Sequence, residues 1–237
     1  MPDGREEDAP PRRRRTVALA ALVVAIAILL GLGVWQVERR AWKLDLIART
    51  DARLAAAPVA APGPADWAGI GKADEYTRVT ATGHFLSDRE TPVLAVTVHG
   101  SGAWILTPLV TPEFTVLVNR GFVPPDRRDP ATRTPPAGEV TVTGLLRVSE
   151  PGGGFLRSND PGAGRWYSRD VAAIAAAQGL GEVAPYFIDA DATPNPGGWP
   201  IGGLTVVTFR NAHLSYALTW FGLAAGLAVL AWRARRG

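Results

Sequence analysis

The sequence predicts a membrane protein in which two transmembrane α-helices, one near each end of the chain, flank a β-rich α+β external domain. Two long uncharged apolar runs, the basic residues beside them and the alternating apolar pattern between them lead to this fold class. We expect five regions: a cytoplasmic basic tail (1–15), a first transmembrane helix (16–37), the external, periplasmic domain (38–212), a second transmembrane helix (213–232) and a cytoplasmic basic tail (233–237).

The first apolar run carries no charge from residue 17 to residue 37, close to the roughly 20 residues that cross a hydrocarbon core. A cleaved signal peptide is the alternative, since four arginines precede the run. A retained anchor is favoured because signal peptides have shorter apolar cores and end at a small-x-small site, whereas this run ends in WQVERR. Helical spacing then continues until Pro58 stops it.

The central interval changes to a period of two, which is typical of β-strands. Seven segments rich in β-branched and aromatic residues show it: RVTATGHF, PVLAVTVH, AWILTPLVT, FTVLVNRGFV, EVTVTGLLRV, PYFIDA and LTVVTFR. One helix is expected at 170–179, with Asp170 as its N-cap and Gly179 as its stop. The stretches 124–139 and 151–164 are rich in proline and glycine and are expected to be long exposed loops.

The second apolar run, residues 214–232, is nineteen residues without a charge and ends in Arg233, Arg235 and Arg236. Basic residues therefore flank the start of the first run and the end of the second run. The positive-inside rule then places both termini in the cytoplasm. The basic residues at 39, 40 and 43 oppose this orientation, and nearby acidic residues partly offset them. The two runs and their flanking charges predict a protein of a bacterial inner membrane, and the predominance of arginine among the basic residues is typical of a GC-rich bacterial genome.

Several classes of function lack support in the sequence. The chain has no cysteine, which excludes disulfides, thiolate nucleophiles and Cys-ligated metals. The interval 36–212 has seventeen basic and eighteen acidic residues, so a nucleic-acid surface is unsupported. The common nucleotide-binding and hydrolase motifs are missing, and Asp170, Asp189 and Asp191 are interpreted as a helix cap and two turn carboxylates. We therefore do not expect an enzyme.

Two histidines and one Arg-Gly pair in the central interval are considered as candidate binding residues. His84 and His99 lie far apart in the sequence and are interpreted as structural or surface imidazoles. Arg120 follows a predicted buried strand, where an arginine either forms an ion pair or points at an anionic partner. The ion pair is the more common role. Gly121 is expected to make the turn after the strand.

The start of the second apolar run places an imidazole above aromatic and small side chains. On a helix, His213, Tyr216, Ala217, Trp220 and Ala224 share one stripe. Such a stripe suits an apolar, iron-bearing ring such as haem, whose iron takes a histidine nitrogen, but plain helix packing is the more common role of such a stripe. Physical arguments alone leave both interpretations open.

Small residues in both runs favour close packing of the two helices. Gly222 and Gly226 form a G-x-x-x-G pattern beside the stripe, and Gly31 and Gly33 lie near the outer end of the first run.

The sequence resembles the surfeit-locus protein family, the membrane-bound assembly factors of haem–copper cytochrome c oxidase. The similarity extends from residue 33 to residue 224. It rests on GVWQVERRAWKLDLI, GHF, PLVTPEFTVLVNRGFVP, WYSRD, PYFIDADATPNPGGWPIGGLT and RNAHLSYALTWFGLA. The family's usual Arg-Gly-Trp-Val-Pro is present with phenylalanine at position 122.

The resemblance implies a protein that binds haem a and assists its insertion into oxidase subunit I. It implies that His213 is the axial ligand of the haem iron and that Trp35 and Trp220 line the same region, where we add Tyr216. The expected partners are subunit I, the lipid bilayer and, as a further candidate, haem a synthase. The alternatives are a membrane-anchored protein-interaction module that stabilises assembly intermediates without haem, and a membrane-bound hydrolase or haem-modifying enzyme.

Overall fold

The structure, a computed structural model, describes residues 12–154, 156–209 and 211–236. The chain divides into a terminal unit, drawn from Met1–Arg49 and Thr208–Gly237, and a central unit, Thr50–Val207. Most of the predicted N-terminal basic tail lies outside the described residues.

Three α-helices form where the sequence predicts them: α1 (Arg12–Ala55), α2 (Val171–Ala177) and α3 (His213–Arg236). α1 contains no proline, and Pro58 follows shortly after its end. Both α1 and α3 are long and apolar enough to cross a membrane. Asp170 accepts a hydrogen bond from the Ala173 N–H and caps α2, as predicted.

The central unit is β-rich, which confirms the predicted class of this domain. Its strands are β1 (Val59–Ala60), β2 (Arg78–Phe85), β3 (Thr91–Thr97), β4 (Gly100–Val110), β5 (Thr115–Val123), β6 (Val140–Val148), β7 (Gly153–Gly154), β8 (Arg157–Ser158) and β9 (Val183–Ala190). Seven of these strands form one sheet in the order β1-β2-β6-β9-β5-β4-β3, and β7 pairs with β8.

The large sheet curls into a barrel-like form. β2 pairs with β6 along its length and, through His84 and Phe85, also pairs with the end of β4. Gly83 lies at this second contact, and a Cβ at that position would overlap the backbone of Val110. β5 and β9 are adjacent and parallel at the centre of the sheet.

The two central strands are apolar because both of their faces are buried. Alternate side chains of β5 and β9 enter two different core clusters, as the pleat of a strand requires. Val118 and Ile188 join the cluster inside the curled sheet, whereas Leu117 and Phe187 pack toward α2. Tyr186 lies in the first cluster, and its hydroxyl donates a hydrogen bond to the Pro62 carbonyl.

One predicted strand is absent. Residues 204–209 of LTVVTFR pair with no strand in the described ranges, and Arg210 lies outside them. The valines and threonines favour extended chain, but an extended segment becomes a strand only beside a partner, which local sequence does not specify. Thr205 instead donates a side-chain hydrogen bond to Asp189.

The predicted loops are largely exposed, with one exception. Arg133, in the 124–139 loop, is 9% exposed and forms an ion pair with Glu90. Such a partner offsets the free-energy cost of burying a cation, and the ion pair holds this part of the loop against the domain. The 151–164 loop contains the short β7–β8 pair, and its Phe155 lies outside the described residues.

Candidate functional site

The first residue of α3 is His213, a half-buried side chain of the terminal unit. Its Nδ1 lies 2.8 Å from Oε1 of Gln36 on α1. Because an amide oxygen only accepts hydrogen bonds, Nδ1 is the donor in this contact, and a neutral imidazole bonded in this way carries its free lone pair on Nε2. The imidazole is therefore held in the tautomer that binds metals through Nε2.

Gln36 is 9% exposed, although it lies in the predicted membrane-spanning part of the chain. A buried amide in an apolar helix is unfavourable unless its polar atoms find partners, and His213 supplies one. Sequence reasoning missed this residue. The available signals were that Gln36 is the one polar side chain between residues 17 and 37 and that it lies three residues after Gly33.

Small residues bring the two helices of the terminal unit together below His213. A Cβ at Gly33 would overlap the ring of Phe221, and Ala217 and Ala224 are almost completely buried. The predicted proximity at Gly33 is confirmed. The G-x-x-x-G prediction is wrong, because Gly222 and Gly226 are exposed and an added Cβ at either would meet no atom within 4 Å. The alanines of the stripe take that role instead.

The predicted aromatic residues lie on different sides of the helix pair. Trp220 is half-buried, two turns after His213 on the same face as Ala217. Tyr216 and Trp35 are 56% and 53% exposed, so each presents an open aromatic surface instead of lining the helix–helix contact. The structure thus brings His213 and Gln36 together and leaves Tyr216 and Trp35 on outward-facing parts of the helices.

An unsatisfied polar atom lies two residues before His213. Oδ1 of Asn211 is buried and has no hydrogen-bond partner among the described residues. A buried acceptor without a partner is uncommon and costs free energy. Together with the open Nε2 of His213, it gives this end of the terminal unit a nitrogen that can bind a metal and an oxygen that can accept a proton donor.

The other two histidines are surface residues, as predicted. His84 and His99 are exposed, and His99 stacks against Phe122 with ring centroids 6.0 Å apart. No group of three or more His, Asp or Glu side chains suited to a metal ion occurs within residues 12–154, 156–209 and 211–236.

The three aspartates that were interpreted as structural have different environments. Asp170 caps α2, and Asp191 accepts a hydrogen bond from the Thr193 N–H in a turn. The turn assignment is wrong for Asp189, which is 2% exposed within β9. Its carboxylate lies 3.0 Å from Arg147 and 3.1 Å from Arg169.

The carboxylate of Asp189 also accepts hydrogen bonds from Asn119 and Thr205. Burial lowers the pKa of Arg169, but the charges of Asp189 and Glu150 outweigh it, so the pKa of Arg169 is raised overall. Every acceptor position of Asp189 is occupied, which fits a structural ion network and leaves no free carboxylate for acid–base catalysis.

Sequence comparisons give the chain its family. The SURF1 family profile matches residues 23–225. Surfeit locus protein 1 of Mus musculus is 40% identical over 228 residues, which is 88% of this chain and 72% of the mouse protein. The Homo sapiens protein of the same name is 40% identical over 220 residues, or 84% of this chain and 71% of that protein.

A SURF1-like protein of Monosiga brevicollis is 38% identical over 225 residues, covering 86% of this chain and 82% of that protein. The matched region includes α1 from its apolar part, the whole β-rich unit and α3 through Ala225, and therefore also Gln36 and His213. On these similarities, the chain belongs to the SURF1 family.

Proposed function

We propose that this protein is a membrane-anchored, non-enzymatic assembly factor that binds haem a through His213 and assists its insertion into subunit I of cytochrome c oxidase. The SURF1 family is in general one of cytochrome oxidase assembly factors, which supports the assembly role. The haem a binding rests on the helix-pair geometry, and haem a is treated as cargo.

The observation that carries the proposal is the hydrogen bond between His213 and Gln36. Metal-binding histidines usually donate their second ring N–H to an oxygen acceptor, which fixes the ring and its tautomer. Gln36 supplies that acceptor from the other helix.

The surrounding residues suit a large apolar cargo. Trp35 and Tyr216 expose aromatic surface, and the apolar faces of α1 and α3 offer low polarity near the imidazole. The buried, unpaired Oδ1 of Asn211 would accept a hydrogen bond from a hydroxyl or a protonated carboxyl group. Bound haem a would supply an iron that accepts the Nε2 lone pair; the chain itself supplies the ligand, its orientation and the apolar cover.

The two apolar helices fit membrane anchoring. We propose a bacterial inner membrane with both termini in the cytoplasm and the β-rich unit in the periplasm. Arg233, Arg235 and Arg236 at the end of α3 and the arginines at the start of α1 support this orientation. His213 then lies at the periplasmic edge of the membrane, where subunit I, and also haem a synthase, are the proposed partners.

The test is to co-express the full chain with the enzymes of haem a synthesis and record the absorption spectrum of the purified protein. We expect bound haem a in the wild type and in His84→Ala, which removes an exposed imidazole, and loss of it in His213→Ala. A wild-type protein without haem, or a His213→Ala protein with unchanged haem content and spectrum, would overturn the ligand assignment.

A second candidate function, a protein-interaction module that needs no haem, is favoured by the last strand of the sheet. Leu94, Val96 and Val98 are apolar, lie in or just after β3, and are 46%, 78% and 88% exposed. An exposed apolar row is a common docking surface for another protein. The row lies on the face of β3, since the edge of the strand is paired where the Leu94 N–H donates to the Trp166 carbonyl.

The two functions can be separated with Val96→Lys. If β3 docks subunit I, this variant loses co-purification with subunit I and keeps its haem a spectrum. If oxidase assembly depends on the haem site alone, Val96→Lys assembles oxidase normally and His213→Ala does not. Thr82→Lys, at an exposed position of β2, is the control for adding charge to the sheet surface.

A further inference from the structure

Arg120 in β5 is a buried cation without an ion-pair partner. Its side chain belongs to a residue that is 3% exposed, and no carboxylate of the described residues lies within 4.0 Å of its guanidinium. The other buried arginine, Arg133, is paired with Glu90, and the nearly buried Arg147 and Arg169 are paired with Asp189. The expected ion pair of Arg120 is therefore absent.

The guanidinium is held in place by neutral groups. Nε and Nη2 donate hydrogen bonds of 3.2 and 2.9 Å to Oδ1 of Asn195, and the ring of Phe85 lies 5.1 Å from its carbon. The Asn195 amide is itself oriented, because its Nδ2 donates to the carbonyls of Arg120 and Pro200. Nη1 has no hydrogen-bond partner among the described residues, so both of its N–H groups are available.

Arg120 forms part of the wall of a cavity of about 230 Å³. The rest of the wall is mostly apolar, and its neutral polar side chains are Asn195 and three threonines, Thr141, Thr143 and Thr193. Asp191 also borders the cavity, but its carboxylate accepts a hydrogen bond from Thr193 and makes no ion pair with Arg120. The cavity thus combines one fixed positive charge with an apolar body, as small-molecule sites commonly do.

The charge of Arg120 persists despite its surroundings. The pKa of Arg120 is lowered to about 10, chiefly by burial. The nearby charge of Glu90 opposes this shift, and the charge of Arg133 adds to it. The group is therefore still protonated at neutral pH. Burying an unpaired cation costs free energy, and proteins usually keep such a cost where a ligand or partner offsets it.

We propose that this cavity binds a carboxylate with a small apolar body, with Nη1 of Arg120 donating hydrogen bonds to the carboxylate oxygens. The carboxylate could belong to a free carboxylic acid or to the C-terminus of a peptide, which share this chemistry. The site lies wholly in the β-rich unit and uses no residue of the His213 site. The carboxylate-binding proposal is therefore tested independently of haem binding.

The experiment is a calorimetric titration of the full chain in detergent with benzoate and with benzamide, its neutral analogue. We expect benzoate to bind at least about tenfold more tightly, because a hydrogen-bonded charge is typically worth that factor or more. Equal binding of the two compounds, or no binding of either, would overturn the proposal. N-acetylphenylalanine and its amide form a second pair, and a stronger preference there would identify a peptide C-terminus as the source.

Three variants separate binding from folding. Arg120→Met removes the charge, is expected to abolish the preference for benzoate and, since it also removes a buried unpaired cation, is expected to keep or raise the Tm. Ala137→Trp, at an exposed position on the cavity wall, should block benzoate binding with Arg120 intact. Arg128→Met, an exposed arginine of the neighbouring loop, should change neither. Unchanged benzoate binding in both Arg120→Met and Ala137→Trp would refute the site.

Discussion

At the scale of single residues, the structure assigns roles through partners that are distant in the sequence. His213 stands out in the sequence because it opens an apolar run, but Gln36 is 177 residues away and only folding brings it into contact. Asp189 was interpreted as a turn carboxylate for the same reason. Its partners Arg147 and Arg169 are 42 and 20 residues away, and no local pattern links them.

If His213 binds haem iron as proposed, its hydrogen bond to Gln36 makes Gln36 a positioning residue. Gln36→Leu removes the acceptor and should weaken haem a binding about 10- to 100-fold, the usual effect of losing the second partner of a metal-binding histidine. Gln36→Glu keeps an acceptor and should retain haem a while lowering its reduction potential, because a carboxylate raises the basicity of the ligand. A binding titration of the purified proteins with haem a measures the affinity, and a redox titration measures the reduction potential. A merely structural Gln36 would leave the potential of the Glu variant unchanged.

The buried carboxylate of Asp189 should dominate the stability of the β-rich unit. Asp189→Ala leaves two nearly buried guanidinium groups without their common partner and should cost about 3–5 kcal/mol. Asp191→Ala is the matched control, since it removes a single turn hydrogen bond and should cost about 1 kcal/mol. Unfolding followed by tryptophan fluorescence compares them, and equal losses would contradict the network.

At the scale of elements, strands with one buried face could be predicted from their alternating apolar pattern, but the pairing of strands could not. RVTATGHF coincides with β2 because every second residue faces the core. LTVVTFR has a similar composition but pairs with no strand in the described ranges, since partner choice depends on the whole sheet. For the helix pair, the G-x-x-x-G pattern predicted the wrong packing face of α3. Ala217 and Ala224, on the same face as His213, are the buried small residues, because alanine also allows two helices to approach closely.

The packing of α1 against α3 depends on Gly33. Gly33→Leu would place a side chain in the volume of the Phe221 ring and should destabilise the helix pair by about 1–3 kcal/mol. Gly31→Leu is the control, because an added Cβ at Gly31 meets no atom within 4 Å. We expect a lower Tm and less bound haem a for Gly33→Leu alone. Identical behaviour of the two variants would mean that this contact does not hold the helices together.

At the scale of the whole molecule, the order of the elements could be predicted from hydropathy and charge. The binding sites could not, because folding brings together residues that are distant in the sequence. The two terminal apolar helices and the β-rich unit between them were evident because each has a distinct period and composition. The cavity beside Arg120 was not, because its wall comes from four separate parts of the chain. The proposed function nevertheless rests on one short contact in the terminal unit, between His213 and Gln36.

Chemical rescue tests the ligand role of His213 most directly. The full chain carrying His213→Gly is co-expressed with haem a synthesis, purified, and mixed with haem a in the presence and absence of imidazole. If His213 is the axial ligand, the variant lacks the wild-type haem a spectrum and free imidazole restores it, since the added ring occupies the vacated position. A His213→Gly protein that shows the wild-type spectrum without imidazole would contradict haem a ligation by this residue.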